Sequence, residues 1–216
     1  MPDATETAAP AAGARDPLLD HPAVARVRQA LEAAGVTPRI VVLDEHARTA
    51  AAAAEQLGVE VAQIANSLVF AVPAPPASTG EAAATGEAAS TGEAASTVEA
   101  ASTVEATGAD EGEGDGRRAV LVMTSGAHRV DLVGVAALLG VERLERADPD
   151  LVRRATGFAI GGVAPVGHTS PLPTLVDVTL ARHDEIWVAG GHPRTVFRTT
   201  YDQLLLLTGG QAAEVA

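Results

Sequence analysis

The sequence contains no lysine and no cysteine, and these two absences exclude several kinds of chemistry. All fifteen basic residues are arginine, so a Schiff base, a lysine general base and a P-loop lysine are ruled out. The lack of cysteine rules out disulfides, thiolate nucleophiles and cysteine-ligated metal centres. Aromatic residues make up only 2% of the chain, so we expect a core of alanine, valine and leucine.

Long hydrophobic runs are also missing. No apolar run approaches the roughly 20 residues that span a bilayer. The first residues of the chain include acidic side chains and lack the apolar stretch of a secretory signal. We therefore expect a cytoplasmic protein without membrane contact.

The acidic residues are distributed unevenly. The chain has a formal net charge of −13, of which residues 74–116, with seven Glu, two Asp and no Arg, carry −9. The remainder is close to neutral, so the net charge does not exclude a nucleic-acid partner.

The acidic segment is built from a six-residue repeat. The repeats TGEAAA, TGEAAS and TVEAAS begin at Thr79, Thr85, Thr91 and Thr97. A hexapeptide β-helix is the alternative, but that fold stacks a bulky aliphatic residue at each turn, and this repeat has none. The pattern predicts a low-complexity, solvated insertion over 74–117 within a single domain at 21–216. We expect residues 1–20 to form a disordered tail.

Helical and strand patterns alternate along the rest of the chain. Start and stop residues predict helices over 22–34, 50–57, 131–139, 148–155 and 200–208. Apolar and β-branched runs predict strands over 39–45, 66–72, 118–123, 141–144, 174–180 and 185–191. This order indicates an α/β (α+β) domain with one mixed, curved sheet flanked by helices, in which the insertion replaces a hairpin turn. It lacks the regular βαβ repeat of a Rossmann fold.

A loop rich in glycine and proline, residues 157–173, is the most informative stretch. Gly161 and Gly162 permit positive φ angles and close approach of a ligand to the backbone, and Pro165 fixes the chain direction. Such a loop presents amides and carbonyls as fixed dipoles that can hold a substrate or a water. An ordinary connection between strands is the alternative.

Five segments occur in a characteristic order. They are 49–70, 119–131, 155–168, 174–180 and 186–197. In this order the chain resembles the YbaK/EbsC-type aminoacyl-tRNA deacylases, relatives of the editing domain of bacterial prolyl-tRNA synthetases. The sequence GFAIGGVAPVG, then a strand with Asp177, then VAGGHP carries most of the resemblance. It implies hydrolysis of the ester between an amino acid and the terminal ribose of a mischarged tRNA, in trans and without a cofactor. An aminoacyl-tRNA synthetase is a further expected partner.

The resemblance also implies roles for individual residues. The loop from Gly161 to Pro165 would shape the aminoacyl pocket and place the attacking water. Many members have lysine where this chain has Asn66, so phosphate affinity is weakened and no mechanism can use an ammonium group there. We hypothesise substrate-assisted hydrolysis, in which a ribose hydroxyl and backbone dipoles position water while Asn66 and the loop hold the ester. The alternatives are a non-catalytic module that binds aminoacyl or nucleotide-like ligands, and a deacylase of free aminoacyl esters.

Small and polar residues near these segments are candidates for substrate binding. They are Ser67, Ser125, His128, Gly162, Ala164, His168 and Asp177. Gly162 and Ala164 would leave room for a small amino acid. Asp177 lies in an apolar strand and must be paired, hydrogen-bonded or open to a cleft, unless it caps the following turn. Candidate contacts to the tRNA backbone, each equally an ordinary solvated charge, are Arg26, Arg28, Arg153, Arg154, Arg194 and Arg198.

Histidines in the second half of the chain suggest a metal site as another alternative. They are His128, His168, His183 and His192. His168 and His192 lie in the two glycine-rich segments and could converge on one pocket. No tight ligand motif such as H-E-x-x-H is present, so we expect no metal. Neither Ser67 nor Ser125 has a nucleophile-elbow pattern, which argues against a serine hydrolase.

Overall fold

A computed structural model describes residues 16–73 and 117–216. Most of the expected tail and nearly all of the expected insertion lie outside these residues. Within them, Pro17–Asp20 form a 3-10 helix whose first turn is capped by the Asp16 carboxylate. The last four residues of the expected tail are therefore helical.

All five predicted helices are present, with bounds within two residues of the predicted ones. Within the described residues they are α1 Pro22–Ala33, α2 Ala50–Leu57, α3 Leu132–Leu138, α4 Pro149–Thr156 and α5 Tyr201–Thr208. The side chains that accept a backbone N–H at their N-termini include Thr49, Asp131, Asp148 and Thr200. None of the described helices is long and apolar enough to cross a bilayer.

Eight strands form two sheets in the described part of the chain. They are β1 Ile40–Val42, β2 Ala65–Val72, β3 Arg118–Ser125, β4 Glu145–Arg146, β5 Thr174–Asp177, β6 Ile186–Ala189, β7 Thr195–Thr199 and β8 Gln211–Ala213. The strand orders are β1-β7-β6 and β4-β2-β3-β5-β8. Only β3–β5 and β5–β8 pair in parallel. The mixed α/β class is confirmed, but hydrogen bonding divides the predicted single sheet into two, joined by one bridge between Ile64 and Trp187.

Several predicted strand boundaries were wrong. The strand expected over 141–144 lies at Glu145–Arg146, because the Val141 amide instead bonds Ala136 at the end of α3. The strand expected over 174–180 ends at Asp177, whose carboxylate caps a 3-10 helix at Val178–Arg182. Strands β7 and β8 were not predicted.

Strands β2 and β3 form an antiparallel hairpin along their full length. Their register runs from Ala65 opposite Ser125 to Val72 opposite Arg118. The ends joined by residues 74–116 therefore lie side by side, as the prediction of an interrupted hairpin requires.

The five-stranded sheet buries a different cluster on each face. One cluster joins α1 and the glycine-rich loop to β3, through residues that include Val27, Leu31, Leu121, Met123, Val163, Ala164 and Val166. The other covers the opposite face and includes Phe70, Val122, Val135 and Leu175. Because side chains alternate along a strand, neighbouring residues of β2 point to different clusters.

Candidate functional site

The predicted substrate loop is exposed at its start and buried beyond it. The Ala159 carbonyl accepts the Gly162 N–H at 3.0 Å, closing a turn in which Gly161 has a φ of +88°. A left-handed φ at this position favours glycine. Gly161 is exposed, whereas Ala164 is 0% exposed. The turn at Gly161, and not the whole loop, is thus the part that a ligand meets first.

Several backbone amides of this loop lack a hydrogen-bond acceptor. Among the described residues, none accepts from the N–H groups of Gly161, Val163 or Ala164. Buried backbone N–H groups are nearly always paired, so unpaired ones concentrated in one loop are unusual. The N–H of Gly161, an exposed residue, is the donor available to an oxygen-rich ligand, whereas Val163 and Ala164 are buried behind it.

The two glycine-rich segments meet at Gly162. A Cβ at Gly162 would lie 3.0 Å from the backbone of His192, so a larger residue would push the segments apart. A Cβ at Gly161 would lie 3.7 Å from Nε2 of His46. The His192 ring is also 5.2 Å, between centroids, from the His21 ring. The His46 side chain therefore lies beside Gly161, and the backbone of His192, whose ring neighbours that of His21, lies beside Gly162. We call Gly161, Gly162, His21, His46 and His192 the Gly161 turn site.

His168 and Pro165 face a different surface. Nε2 of His168 donates to the Ala164 carbonyl at 2.8 Å, and its ring packs edge-on against Phe158. Pro165 and His168 line an open cleft of about 400 Å³. Burial lowers the pKa of His168, although the bond to Ala164 opposes this effect. Among the described residues no contact joins His168 to His192, so the expected convergence of these two side chains is not seen.

Asp177 is the centre of a buried polar network. Its Oδ2 accepts from the Ser125 N–H at 3.2 Å, the Thr124 hydroxyl at 3.3 Å and Nδ1 of His128 at 3.1 Å. Its Oδ1 accepts from the Thr179 N–H at 2.9 Å and hydroxyl at 2.6 Å. Burial alone would raise the pKa of Asp177, but the bonds from Thr179, Ser125 and His128 outweigh it and the pKa is lowered. The carboxylate is therefore ionised, fully paired and also a cap of the following turn.

The bond to Asp177 orients His128. A carboxylate can only accept, so the proton of a neutral His128 ring is on Nδ1. Nε2 then carries a lone pair, and the side chain is 33% exposed. In the described part of the chain Nε2 has no partner. An oriented imidazole of this kind can accept a proton from a bound water or hydroxyl.

Asn66 belongs to the same face of the sheet as Asp177. It lies opposite Thr124 in the hairpin, and Thr124 donates to Asp177. The three side chains form a polar row across β2, β3 and β5. The Asn66 amide has no hydrogen-bond partner among the described residues.

Ser67 and the glycine-rich loop belong to the other face. The Ser67 hydroxyl donates to Sδ of Met123 at 3.3 Å. Met123 lies in the cluster that also contains Val163 and Ala164. The loop thus packs against the face that Asn66 points away from, and the structure does not bring Asn66 together with the loop.

The model of the family "Aminoacyl-tRNA editing domain" matches residues 74–207, more than half of the chain. The chain belongs to the aminoacyl-tRNA editing domain family. A solved structure of a protein proposed to be a trans-editing enzyme for prolyl-tRNA synthetase is 37% identical, with a TM-score of 0.66, and the match covers 90% of this chain and 96% of that one.

Two other solved structures resemble this editing domain. One comes from work on grafting linear epitopes onto scaffold proteins by computational design. It is 35% identical with a TM-score of 0.66, covering 90% of this chain and 97% of the other. A hypothetical protein is 20% identical with a TM-score of 0.63, covering 88% and 98%. The last likeness supports the fold alone.

Two alternative chemistries, a metal site and a serine nucleophile, depend on side chains in the described part of the chain. Within residues 16–73 and 117–216 no group of three histidine or acidic side chains is placed to hold a metal ion. The Ser125 hydroxyl donates to the Ala62 carbonyl at 3.0 Å, and this bond to the backbone leaves Ser125 without the base of a serine nucleophile.

Four side chains of the Asp177 network and the Gly161 turn site were not predicted from the sequence. Thr124 and Thr179 complete the Asp177 network, and His21 and His46 complete the Gly161 turn site. Alternation along β3 could have indicated Thr124, since it shares a face with the buried Val122. Nothing local distinguishes His21 or His46, because long-range packing brings them to Gly161.

Proposed function

We propose that this editing domain hydrolyses the ester of mischarged aminoacyl-tRNA in trans. Family membership and the likeness to a proposed trans-editing enzyme support the reaction class. The observation that carries the proposal is the backbone N–H of the exposed Gly161, which has no acceptor among the described residues. Donors fixed in place suit the oxyanion that forms when water attacks an ester.

The chemistry needs little from protein side chains. Water adds to the ester carbonyl, the negative charge develops on the carbonyl oxygen, and the bond to the ribose oxygen then breaks. The ribose oxygen takes a proton, and free amino acid and tRNA leave. Backbone donors stabilise the oxyanion, while the neighbouring ribose hydroxyl orients the water. Each of these effects is worth several kcal/mol.

The residues at the turn favour a small amino acid. Gly161 and Gly162 contribute no side chain, and Gly162 is in contact with the His192 backbone. Ile160, which is 59% exposed, offers an apolar surface beside them. A hydrophobic site separates substrates by only about 1–3 kcal/mol per methylene, so we expect exclusion of large amino acids and graded activity among small ones.

A panel of mischarged tRNAs tests the proposal with a matched pair of variants. Gly161→Ala places a methyl group at the turn, 3.7 Å from His46, and we expect kcat/KM to fall at least about tenfold. Gly140→Ala imposes a similar backbone strain, at φ +64°, with nothing within 4 Å of the added Cβ. It should lose stability comparably and keep its kcat/KM. Equal activity of the two variants would contradict the assignment.

Asn66→Ala distinguishes the two candidate regions. Because Asn66 faces the Asp177 row, we expect its activity to stay within about twofold of the wild type. A large loss of activity in Asn66→Ala, together with full activity in Gly161→Ala, would indicate that the ester binds beside the polar row of Asn66, Thr124 and Asp177 instead. If the wild type binds tRNA but releases no amino acid from any member of the panel, the domain is the non-catalytic binding module.

A further inference from the structure

The Gly161 turn site carries a set of hydrogen-bond donors that ester hydrolysis does not use. Nδ1 of His21 accepts the Ala23 N–H, and Nδ1 of His192 accepts the Arg194 N–H, both at 3.2 Å. An Nδ1 that accepts places the proton of a neutral ring on Nε2. Both rings therefore present an Nε2–H donor without having to be charged.

Arg194 is fixed beside these rings. Its Nε donates to the Leu43 carbonyl at 3.0 Å, and its own carbonyl accepts the Leu43 N–H at 2.7 Å. These bonds leave the two terminal amino groups of the guanidinium without a partner among the described residues. The same bonds hold the chain just before His46, and Gln56 in α2 anchors the adjacent Glu45 backbone.

The ionisable groups that act on His192 are all basic. Burial lowers the pKa of His192, and the neighbouring His21, Arg194 and His46 lower it further. No carboxylate is among the groups that act on it. The spacing suits a bulky anion: the two rings are 5.2 Å apart, and hydrogen bonds of about 2.8 Å from each can reach two oxygens of one phosphate.

We propose that His21, His46, His192 and Arg194 bind the phosphodiester that precedes the terminal nucleotide of the tRNA. This inference rests on the proposed function, since an ester held at Gly161 brings that phosphate to the same surface. It also accounts for the neutral Asn66, because the phosphate contact is made here and needs no lysine at position 66.

Binding of uncharged tRNA at pH 8 tests the site without any hydrolysis. The probes are intact tRNA, tRNA lacking its terminal nucleotide, and inorganic phosphate. We expect the wild type to bind intact tRNA more tightly than truncated tRNA, and inorganic phosphate only weakly. Equal affinity for intact and truncated tRNA, or tight binding of inorganic phosphate alone, would overturn the proposal.

Variants identify the side chains responsible. His46→Ala removes an exposed imidazole, and His21→Ser removes one while keeping a side chain that can cap α1. Each variant should lower the affinity for intact tRNA about three- to tenfold and leave the affinity for truncated tRNA unchanged. Arg194→Gln should in addition lower the salt slope of log K by about 0.7, the value for one single-stranded phosphate contact. Arg194→Lys should restore that slope.

His183→Ala and Arg182→Gln are the matched controls, since both residues follow β5 and neither is among the groups that act on His192. Both should bind all three probes as the wild type does. If His46→Ala, His21→Ser and Arg194→Gln also do so, the inference fails even where hydrolysis is intact. If these variants lose the preference for intact tRNA but the wild type hydrolyses nothing, the phosphate site stands and the proposed hydrolysis fails.

Discussion

Asp177 and His128 share a hydrogen bond of 3.1 Å although 49 positions separate them in the chain. The bond exists because β5 lies parallel to β3, so that the ends of both strands reach the same edge of the sheet. His128 follows β3 and Asp177 ends β5. The carboxylate thereby fixes the ring of a histidine that nothing in its own segment would hold.

Because five hydrogen bonds converge on Asp177, we expect its substitution to have a large effect on stability. Asp177→Asn keeps the shape but replaces one accepting oxygen with an NH₂ group, which faces donors from Thr179 or from Ser125 and His128. Buried donors are left unpaired, and we expect the free energy of unfolding to fall by about 2–4 kcal/mol. Urea denaturation at pH 7 measures this change. Asp184→Asn, at an exposed position, should change the free energy of unfolding by less than about 0.5 kcal/mol. A change that small in Asp177→Asn would show that the network contributes little to stability.

Acidification should destabilise the domain in two separate steps. The pKa values of His168 and His192 both lie below the usual 6.5, chiefly because of burial. The unfolded chain therefore binds more protons, and stability falls as the pH drops below about 7. The pKa of Asp177 is lowered from 3.8, so its contribution is present above that value and is lost as the pH falls through the folded pKa.

His168→Gln removes the contribution of His168 to the first step. A glutamine amide can still donate to the Ala164 carbonyl but does not titrate. We expect a shallower decline in the free energy of unfolding between pH 7.5 and 5.0, compared by urea denaturation with wild type and with His183→Gln. An unchanged decline in His168→Gln would mean that this ring is protonated as easily in the folded protein as in the unfolded one.

Local signals were sufficient for some elements and insufficient for others. Helix α2 was predicted with its bounds because Thr49 caps it and Gly58 ends it in the left-handed region, and both signals lie within the segment. Strand β8 has the sequence Gln-Ala-Ala and no β-branched residue, so only its pairing with β5 defines it. The candidate site shows the same division. Asp177 was recognised as a carboxylate that needs partners, but its partners other than Thr179 depend on the pairing of β5 with β3.

The contact between Gly162 and His192 predicts a steric effect at the meeting point of the two glycine-rich segments. The Cβ of Gly162→Ala would lie 3.0 Å from Cα of His192 and from Cδ of Pro193, and backbone cannot move aside cheaply. We expect a loss of about 1–3 kcal/mol of stability together with reduced deacylation. Gly35→Ala, where nothing lies within 4 Å, should cost stability only through its positive φ. Thermal unfolding and kcat/KM of both variants decide whether the contact matters.

The pairing of Val72 with Arg118 leads to a prediction about residues 74–116, which we propose are an insertion dispensable for folding. The strand ends already lie side by side, so a four-residue turn of glycine and asparagine can join them. Closing a flexible loop about tenfold shorter costs about 2 kcal/mol less, and the shortened protein should therefore be more stable. Removing nine acidic residues should also strengthen tRNA binding at low salt. Urea denaturation, tRNA affinity and deacylation compare the two forms, and a shortened protein that folds but no longer deacylates would make the acidic segment part of the functional machinery.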